Sequence, residues 1–236
     1  MQRFSFVITL LLASIFALDG WAAKSANSWL EEADKVRNPA DNYKMVIAVK
    51  SDDWESEFQV FLKGAQKTLI VTKKPASDKG RNMLMLDRDF YAYVPNLKRS
   101  MRLSLAQKLS GQVANGDIAR TRWFGDYDAT IEKQDKKEVQ LLLNANKNNL
   151  TYQKIRLWVD AKNSFPRRAE YLSVDAKTVL KYAWSENYKT LAGAMRPGLI
   201  RIEDKNQQKS TIEVLSMEIA SSDDSFFTER NMESMR

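Results

Sequence analysis

The fold of this chain is decided by two neighbouring stretches, EFQVFLK at residues 57–63 and KTLIVT at residues 67–72. Both are short, rich in β-branched and aromatic residues, and apolar at least at every second position, which is typical of β-strands. Gly64 lies in the short connection between them and favours a turn there. The two stretches therefore predict neighbouring strands.

The same period of two extends through most of the chain and indicates a mainly β domain of the α+β class. The predicted strands are residues 44–50, 57–63, 67–72, 82–86, 90–94, 100–103, 127–133, 139–144, 154–160, 168–174, 179–187, 199–203 and 211–219. About a dozen strands at ~8–12-residue spacing predict a sheet that must curl. Residues 29–36 have helical spacing and end before Pro39, whereas residues 105–125 do not alternate and predict one or two short helices over the sheet.

The composition excludes most familiar enzyme chemistry, because the 236 residues include no histidine and no cysteine. Without cysteine there is no disulfide, no thiolate zinc site and no cysteine nucleophile. Without histidine there is no Ser-His-Asp triad and no imidazole base near neutral pH. Carboxylate, lysine or tyrosine chemistry remains, or no chemistry at all, and we expect no metal site and no cofactor.

Residues 1–22 have the pattern of a signal peptide. The apolar run at residues 4–18 is shorter than the ~20 residues of a membrane-spanning helix, and Gly20 and Ala22 are the small residues of a cleavage site. We therefore expect cleavage after Ala22 and export to the periplasm, with residues 23–236 as a single mature domain. An uncleaved N-terminal anchor is the alternative.

The chain has a formal net charge of +7, from 37 basic and 30 acidic residues. Its basic residues cluster with aromatic ones at Arg81, Arg88, Arg99, Arg102 and residues 120–123. Because we expect an exported protein, nucleic acid is not a predicted partner. A solvated outer face, or a cationic rim that meets lipid headgroups or an acidic docking partner, are the interpretations left open.

Several predicted strands are apolar on both faces, as at residues 60–62, 69–71, 83–86 and 141–143. Few helices are predicted to cover them. One interpretation is a sandwich or barrel with an ordinary dry core. The other is a concave, partly filled apolar cavity that accepts a lipid chain, and nine methionines favour it because their flexible side chains adapt to irregular guests.

Acidic pairs in predicted turns are the remaining chemical candidates. The pairs are Asp52/Asp53, Asp87/Asp89, Asp126/Asp128 and Asp223/Asp224. Two carboxylates can perform glycosidase-type hydrolysis, although acidic residues in turns are expected for local hydrogen bonding alone. This hypothesis predicts a turnover that is lost when Asp126 or Asp128 is changed to Asn.

A set of ordered motifs supplies a family resemblance. Arg81 precedes a short apolar strand, and residues 93–99 form a Tyr-x-Pro-x-x-x-Arg segment. The matching stretches are residues 79–85, 89–104, 115–120, 171–190 and 225–228. Their order along residues 25–230 resembles the outer-membrane lipoprotein-sorting protein family (LolA/LolB-like), and in particular its sorting-like branch.

The resemblance implies an unclosed antiparallel β-barrel of about a dozen strands, with short helices covering its concave face and a hydrophobic cavity for acyl chains. It implies carriage of lipids or outer-membrane lipoproteins through the periplasm without catalysis, between an inner-membrane transporter and an outer-membrane acceptor. The better-known carriers have proline after the arginine that steadies the lid, whereas Asn82 follows Arg81 here. The membrane-anchored receptor of the system needs a lipidated cysteine, so a soluble carrier fits this chain better. A non-catalytic periplasmic adaptor of an envelope transporter, with the same fold and a dry core, is the alternative.

Alternation along the strands selects the candidate site residues. The predicted cavity lining is Trp29, Leu30, Phe58, Val60, Leu62, Leu69, Val71, Met83, Met85, Tyr91, Tyr93, Met101 and Leu103. The predicted lid or rim residues are Arg81, Arg99 and Arg102. Because the strands are apolar on both sides, their register stays open and half of the lining residues could face the other way.

Overall fold

The computed structural model describes residues 24–52, 54–148 and 150–235. The predicted signal peptide lies outside these residues. Thirteen strands form one antiparallel sheet: β1 (Asn42–Ser51), β2 (Trp54–Lys63), β3 (Lys67–Lys74), β4 (Met83–Leu86), β5 (Asp89–Val94), β6 (Arg99–Leu103), β9 (Tyr127–Gln134), β10 (Glu138–Ala145), β11 (Lys154–Asp160), β12 (Pro166–Leu172), β13 (Val179–Glu186), β16 (Leu199–Asp204) and β17 (Lys209–Ile219). Two hairpins add β7 (Lys108–Ser110) with β8 (Val113–Ala114), and β14 (Lys189–Leu191) with β15 (Ala194–Arg196). The α-helices are α1 (Ala26–Arg37), α2 (Asn115–Ala119) and α3 (Glu229–Ser234), and single 3-10 turns lie at Ala76–Asp78, Pro95–Leu97 and Asp224–Phe226.

The strand order shows which segment of the chain must cross the sheet. Strands β1 to β6 follow one another to one edge of the sheet, and β9 to β17 return from the opposite edge until β17 pairs with β1. The edge strands β6 and β9 are not paired with each other in the described part of the chain, so the sheet is unclosed. Residues 104–126 must therefore carry the chain from one edge to the other across a face of the sheet. This confirms the predicted unclosed, mainly β fold.

One face of the sheet, here called the concave face, carries the main core. Side chains from both halves of the sheet form one buried cluster there with α1, residues 104–126 and Leu191. Gly111 allows the tight turn of the β7–β8 hairpin, since it has φ +52° and a Cβ there would lie 2.4 Å from Ser210 Oγ. Most of residues 105–125, predicted as helices, are thus a hairpin and loop, and only Asn115–Ala119 is helical.

The opposite, convex face of β2 to β5 is covered by the C-terminal segment. Phe227 and Met232 pack on Leu69, Val71 and Leu84 in a second apolar cluster. The buried Asn82 fixes this cover, because its amide donates hydrogen bonds to the carbonyls of residues 232 and 235 at 2.8 and 2.9 Å. In the part of the chain that the structure describes, no helix combines the length and apolar character of a membrane span.

Candidate functional site

The structure brings nine of the predicted lining residues together at the concave face. Trp29, Leu30, Phe58, Val60, Leu62, Met83 and Met85 are buried in the main core, Leu103 packs against it, and Met101 lies beside Leu103 on the edge strand. These side chains come from α1 and from β2, β4 and β6. Because Ile70 of β3 and Phe90 of β5 belong to the same buried cluster, the concave face is apolar from β2 to the edge strand β6.

The other four predicted lining residues lie on the convex face. Leu69 and Val71 are buried beneath α3, and Tyr91 and Tyr93 pack against the same convex cluster. Their neighbours in sequence, Thr68, Ile70, Phe90 and Ala92, face inward instead, as their pairing with inward-facing residues requires. A shift of one residue reverses the face of every side chain in a strand. The prediction of Leu69, Val71, Tyr91 and Tyr93 as part of the concave lining is corrected accordingly.

A lid covers the concave face, and we define it as α1, residues 104–126 and the hairpin 189–196. Helix α1 begins after the cap Ser25, whose hydroxyl accepts a hydrogen bond from the amide of Ser28. Its Trp29, Leu30 and Ala33 are buried against the sheet. Residues 104–126 add Leu105, Val113, Ile118, Ala119 and Trp123 to the same core.

The parts of the lid are joined to each other by buried polar contacts. The Asp34 carboxylate of α1 accepts the Trp123 amide at 2.6 Å. Burial raises the pKa of Asp34, and this hydrogen bond and the charges of Arg37 and Arg122 act in the opposite direction. The Arg196 guanidinium donates to the carbonyls of residues 35 and 36 at the end of α1, at 2.7 and 2.9 Å.

A buried ion pair joins the lid to the sheet. Asp117 of α2 meets Lys181 of β13 at 2.5 Å, and both side chains are 7% exposed. Asp117 also accepts the amide of residue 114 at 2.8 Å and the Tyr152 hydroxyl at 3.1 Å. Burial and then the Asp117 charge raise the pKa of Tyr152, which therefore remains a neutral donor at pH 7. The Lys181 ammonium lies 4.7 and 4.9 Å from the ring centres of Tyr152 and Tyr171.

A second ion pair lies at the end of the lid segment 104–126. Arg120 holds Asp126 with two hydrogen bonds, of 2.5 and 2.9 Å, and Lys147 adds a third at 2.8 Å. Burial opposes ionisation of Asp126, but these hydrogen bonds and charges outweigh it and lower the pKa of Asp126. A carboxylate held ionised in this way is suited to a structural contact and not to general acid catalysis. Its predicted partner Asp128 is exposed and accepts a hydrogen bond from Asn146 at 3.1 Å.

Several spaces remain between the lid and the concave face, among them a central pocket and an edge pocket. The central pocket has a volume of about 50 Å³, and its walls include Met45, Ile47, Ile118, Ile212 and Val214. The edge pocket has a volume of about 220 Å³. Its lining residues are Arg81, Met83, Ala92, Val94, Met101, Leu103, Gln107, Lys108, Leu109 and Asn115. The interior is thus mostly filled by the lid, with the larger space at the β6 edge.

The predicted rim arginines are exposed, and they lie near this edge. Arg81 lines the edge pocket, while Arg102 forms a surface ion pair with Asp89. Arg99 begins β6 and, by alternation, shares a face with Met101. Arg120, which the sequence groups with these surface residues, is instead buried against Asp126.

Comparison with solved structures shows the family. A LolA superfamily protein from Nitrosomonas europaea is 35% identical in sequence, matches 87% of this chain and 98% of its own chain, and superimposes with a TM-score of 0.79. The chain belongs to the LolA superfamily. A family profile described as "-like: Uncharacterized protein" also matches residues 64–234. No curated protein sequence matches.

Two further structures share the LolA superfamily fold at lower identity. A domain assigned to outer membrane lipoprotein sorting from Vibrio parahaemolyticus has a TM-score of 0.73 at 17% identity, with 88% of this chain and 98% of that chain covered. A DUF1329 family protein from Desulfovibrio piger has a TM-score of 0.74 at 17% identity, with coverages of 88% and 97%. At this identity the two likenesses show the fold alone. The family predicted from the sequence motifs is confirmed.

Sequence reasoning missed several residues of this LolA superfamily site. The central pocket is built by Met45 and Ile47 of β1, by β16 and β17, and by Arg37 and Arg196. Strict alternation in β1 could have selected Met45 and Ile47. Nothing in the local pattern indicates that Arg37 and Arg196, far apart in the chain, line the same pocket.

Proposed function

We propose that this protein is a soluble periplasmic carrier that binds acyl chains of lipids or lipoproteins between its lid and its concave face, for transfer toward the outer membrane. In this proposal the signal peptide at residues 1–22 is removed and residues 23–236 act as one lipid-binding domain. The observation that carries it is a continuous apolar sheet face whose cover is a separate set of elements, residues 26–37, 104–126 and 189–196.

The energetics favour an acyl chain as the guest. Each methylene buried on such a face contributes ~0.8 kcal/mol, so a dozen or more are sufficient to hold a lipid out of water. Small-molecule sites usually measure ~300–1,000 Å³. The central and edge pockets, at about 50 and 220 Å³, are smaller. Binding therefore requires the lid to move away from the sheet.

The lid contacts suit a reversible movement. Besides its apolar packing, the lid meets the sheet through a few buried polar contacts. Two of them are the Asp117–Lys181 pair and the hydrogen bond that the Thr68 hydroxyl donates to the carbonyl of residue 119 at 2.7 Å. Release then needs only a partner that stabilises the open lid, such as an inner-membrane transporter on loading or an outer-membrane acceptor on unloading. Membership of the LolA superfamily, shown by the relative from Nitrosomonas europaea, supports the same class of cargo.

A disulfide that locks the lid tests this mechanism directly. A Cβ at Gly116 of α2 would lie 3.0 Å from Thr151 Cβ, so Gly116→Cys with Thr151→Cys brings two thiols to within a small adjustment of disulfide geometry. The chain has no native cysteine to interfere. We expect the reduced protein to take up a fluorescent fatty acid and the oxidised protein to take up little or none. The two single-cysteine variants, under the same oxidant, are the matched controls.

The cargo itself is tested by mass spectrometry of protein purified from the periplasm of producing cells. Co-purifying lipid or lipoprotein, released only by denaturation, is the expected result. Repeated absence of lipid, together with equal fatty-acid uptake in the oxidised and reduced forms or no uptake in either, would contradict the carrier.

The second candidate is a periplasmic adaptor, and the nearly filled interior favours it. In that case the lid stays closed and the protein acts through its outer surface. A pull-down that gives a stable membrane-protein partner without lipid would support the adaptor in place of the carrier.

A further inference from the structure

Two arginines line the central pocket. Arg37 is the last residue of α1, and Arg196 ends β15. Both line the pocket, together with Asn38, and the remaining wall is mostly aliphatic, with Met45, Ile47 and other side chains of β1, β16 and β17. The pocket thus presents two cationic groups in a wall that is otherwise mostly apolar.

Arg196 is buried without an acidic partner. It is 6% exposed, and no carboxylate among the described residues lies within ion-pair distance of it. Its hydrogen bonds go to the carbonyls of residues 35, 36 and 191, through Nε and Nη1 only. The carbonyls at the end of α1 offer a partial negative charge, but they leave the Nη2 donor of Arg196 without a bond to a described residue. Burial of this positive charge lowers the pKa of Arg196, which a bound anion would reverse.

Arg37 has a donor that the protein does not use. Its guanidinium carbon lies 3.9 Å from the centre of the Trp123 ring, which holds the side chain flat against the lid. Its Nη1 is buried and has no hydrogen-bond partner among the described residues. Buried donors are nearly always paired in native proteins, so an unpaired one needs an explanation.

Neighbouring carboxylates are already engaged elsewhere. Asp34 receives the Trp123 amide, and Asp117, which also lines the central pocket, is paired with Lys181. Neither one forms an ion pair with Arg37 or Arg196. Among the described residues, the two guanidinium groups therefore have no ion-pair partner, and they lie beside a mostly apolar wall.

We propose that Arg37 and Arg196 bind the anionic headgroup of the cargo, a carboxylate or a phosphate, while its hydrocarbon chain lies along the apolar wall of the central pocket. This inference rests on the proposed carrier function and specifies its ligand as a singly tailed or multiply tailed anionic amphiphile. Arginine suits the task because its planar donors match both oxyanions and it remains charged when buried. The unpaired Nη1 of Arg37 and Nη2 of Arg196 are the donors assigned to the headgroup.

The test compares ligands with one tail and different headgroups. Decanoate and decyl phosphate are the anionic probes, decan-1-ol and decyltrimethylammonium are the neutral and cationic controls, and inorganic phosphate is the headgroup without a tail. Affinities are measured by calorimetry and by Trp123-dependent fluorescence. We expect the anionic probes to bind about tenfold more tightly than decan-1-ol, which corresponds to one charge-assisted contact.

The variants separate recognition from folding. Arg37→Gln removes the cation–π contact with Trp123 but no hydrogen bond to a described residue, so the fold is expected to be retained. The preference for anionic probes should fall about tenfold. Arg196→Lys keeps the positive charge but loses the paired donors of the planar guanidinium group. It should weaken the binding of decyl phosphate less than Arg196→Gln does. Arg88→Gln, at an exposed turn, is the matched control and should change nothing.

The outcomes distinguish the two proposals. Equal binding of decan-1-ol and decanoate by the unaltered protein, or an anionic preference unchanged in Arg37→Gln, overturns the headgroup assignment and leaves the carrier intact. Binding of inorganic phosphate with no affinity for any decyl probe overturns the carrier and indicates an anion site of another kind. No binding of any probe refutes both.

Discussion

The buried Asp117–Lys181 pair offers the sharpest test of how the lid is held. Changing Lys181 to Met keeps most of the volume of the side chain and removes its charge, which leaves Asp117 buried without a counterion. Breaking one partner of a buried pair costs about 3–5 kcal/mol of unfolding free energy. Asp117 keeps two hydrogen bonds, from the amide of residue 114 and from Tyr152, so we expect the lower end of this range, about 3 kcal/mol.

Urea unfolding monitored by tryptophan fluorescence measures this loss of unfolding free energy directly. In thermal unfolding, at about 2–4 °C per kcal/mol, the melting temperature should fall by ~6–12 °C. Hydrogen exchange should report the greatest loss of protection at the amides of α2, since the pair joins α2 to the sheet. Lys205→Met, which removes an exposed lysine from the turn after β16, is the control and should stay close to the unaltered protein.

A double variant completes the test. Asp117→Asn with Lys181→Met removes both charges and should recover a large part of the lost stability, because the cost comes mainly from the unpaired charge. The reasoning is refuted if Lys181→Met stays within 1 kcal/mol of the unaltered protein, or if the double variant is less stable than Lys181→Met alone.

Three other perturbations have expected outcomes that follow from single contacts. The lowered pKa of Asp126 means that its ionised form stabilises the fold above the unfolded pKa of 3.8, and that this contribution is lost as the pH falls through the lower folded value. Asp126→Asn should therefore cost about 2–4 kcal/mol in urea unfolding at pH 7 and progressively less below about pH 4, and a difference that is independent of pH would contradict the ion pair. Gly116→Ala would place a Cβ 1.9 Å from Thr151 Oγ1, so we expect it to lower the free energy of unfolding by about 1–3 kcal/mol. A second change, Thr151→Ala, should restore part of this stability. A single variant as stable as the unaltered protein would show that α2 is not closely packed. Asn82→Ala removes the hydrogen bonds to residues 232 and 235 and should expose the C-terminal segment to limited proteolysis, with Ser234→Ala as the control, whereas an unchanged cleavage pattern would count against this role.

The strand pattern was readable from the sequence because alternation is a local property. Residues 154–160 are predicted as a strand and form β11 with the same bounds, and residues 67–72 lie within β3. The hairpin 189–196 has only three residues in each strand, too few to show a period, and the sequence does not predict it. Helix α3 has only six residues, fewer than two turns, and the sequence does not predict it either.

The candidate site was only partly readable. Leu69 and Tyr91 are apolar like their inward-facing neighbours Ile70 and Phe90. A local pattern cannot show which of the two faces is concave, because the C-terminal segment that covers the convex face is distant in the sequence. Arg120 reads as a surface residue, yet the fold buries it against Asp126.

The sequence by itself determined the family, the strands and the surplus of apolar surface, because these depend on the order and spacing of neighbouring residues. The tertiary structure decided which face is concave, how fully the lid fills it, and that Arg37 and Arg196 line the same central pocket. These features depend on contacts between residues distant in the chain, and such contacts exist only when the sheet has curled and the crossing segment 104–126 has packed across it.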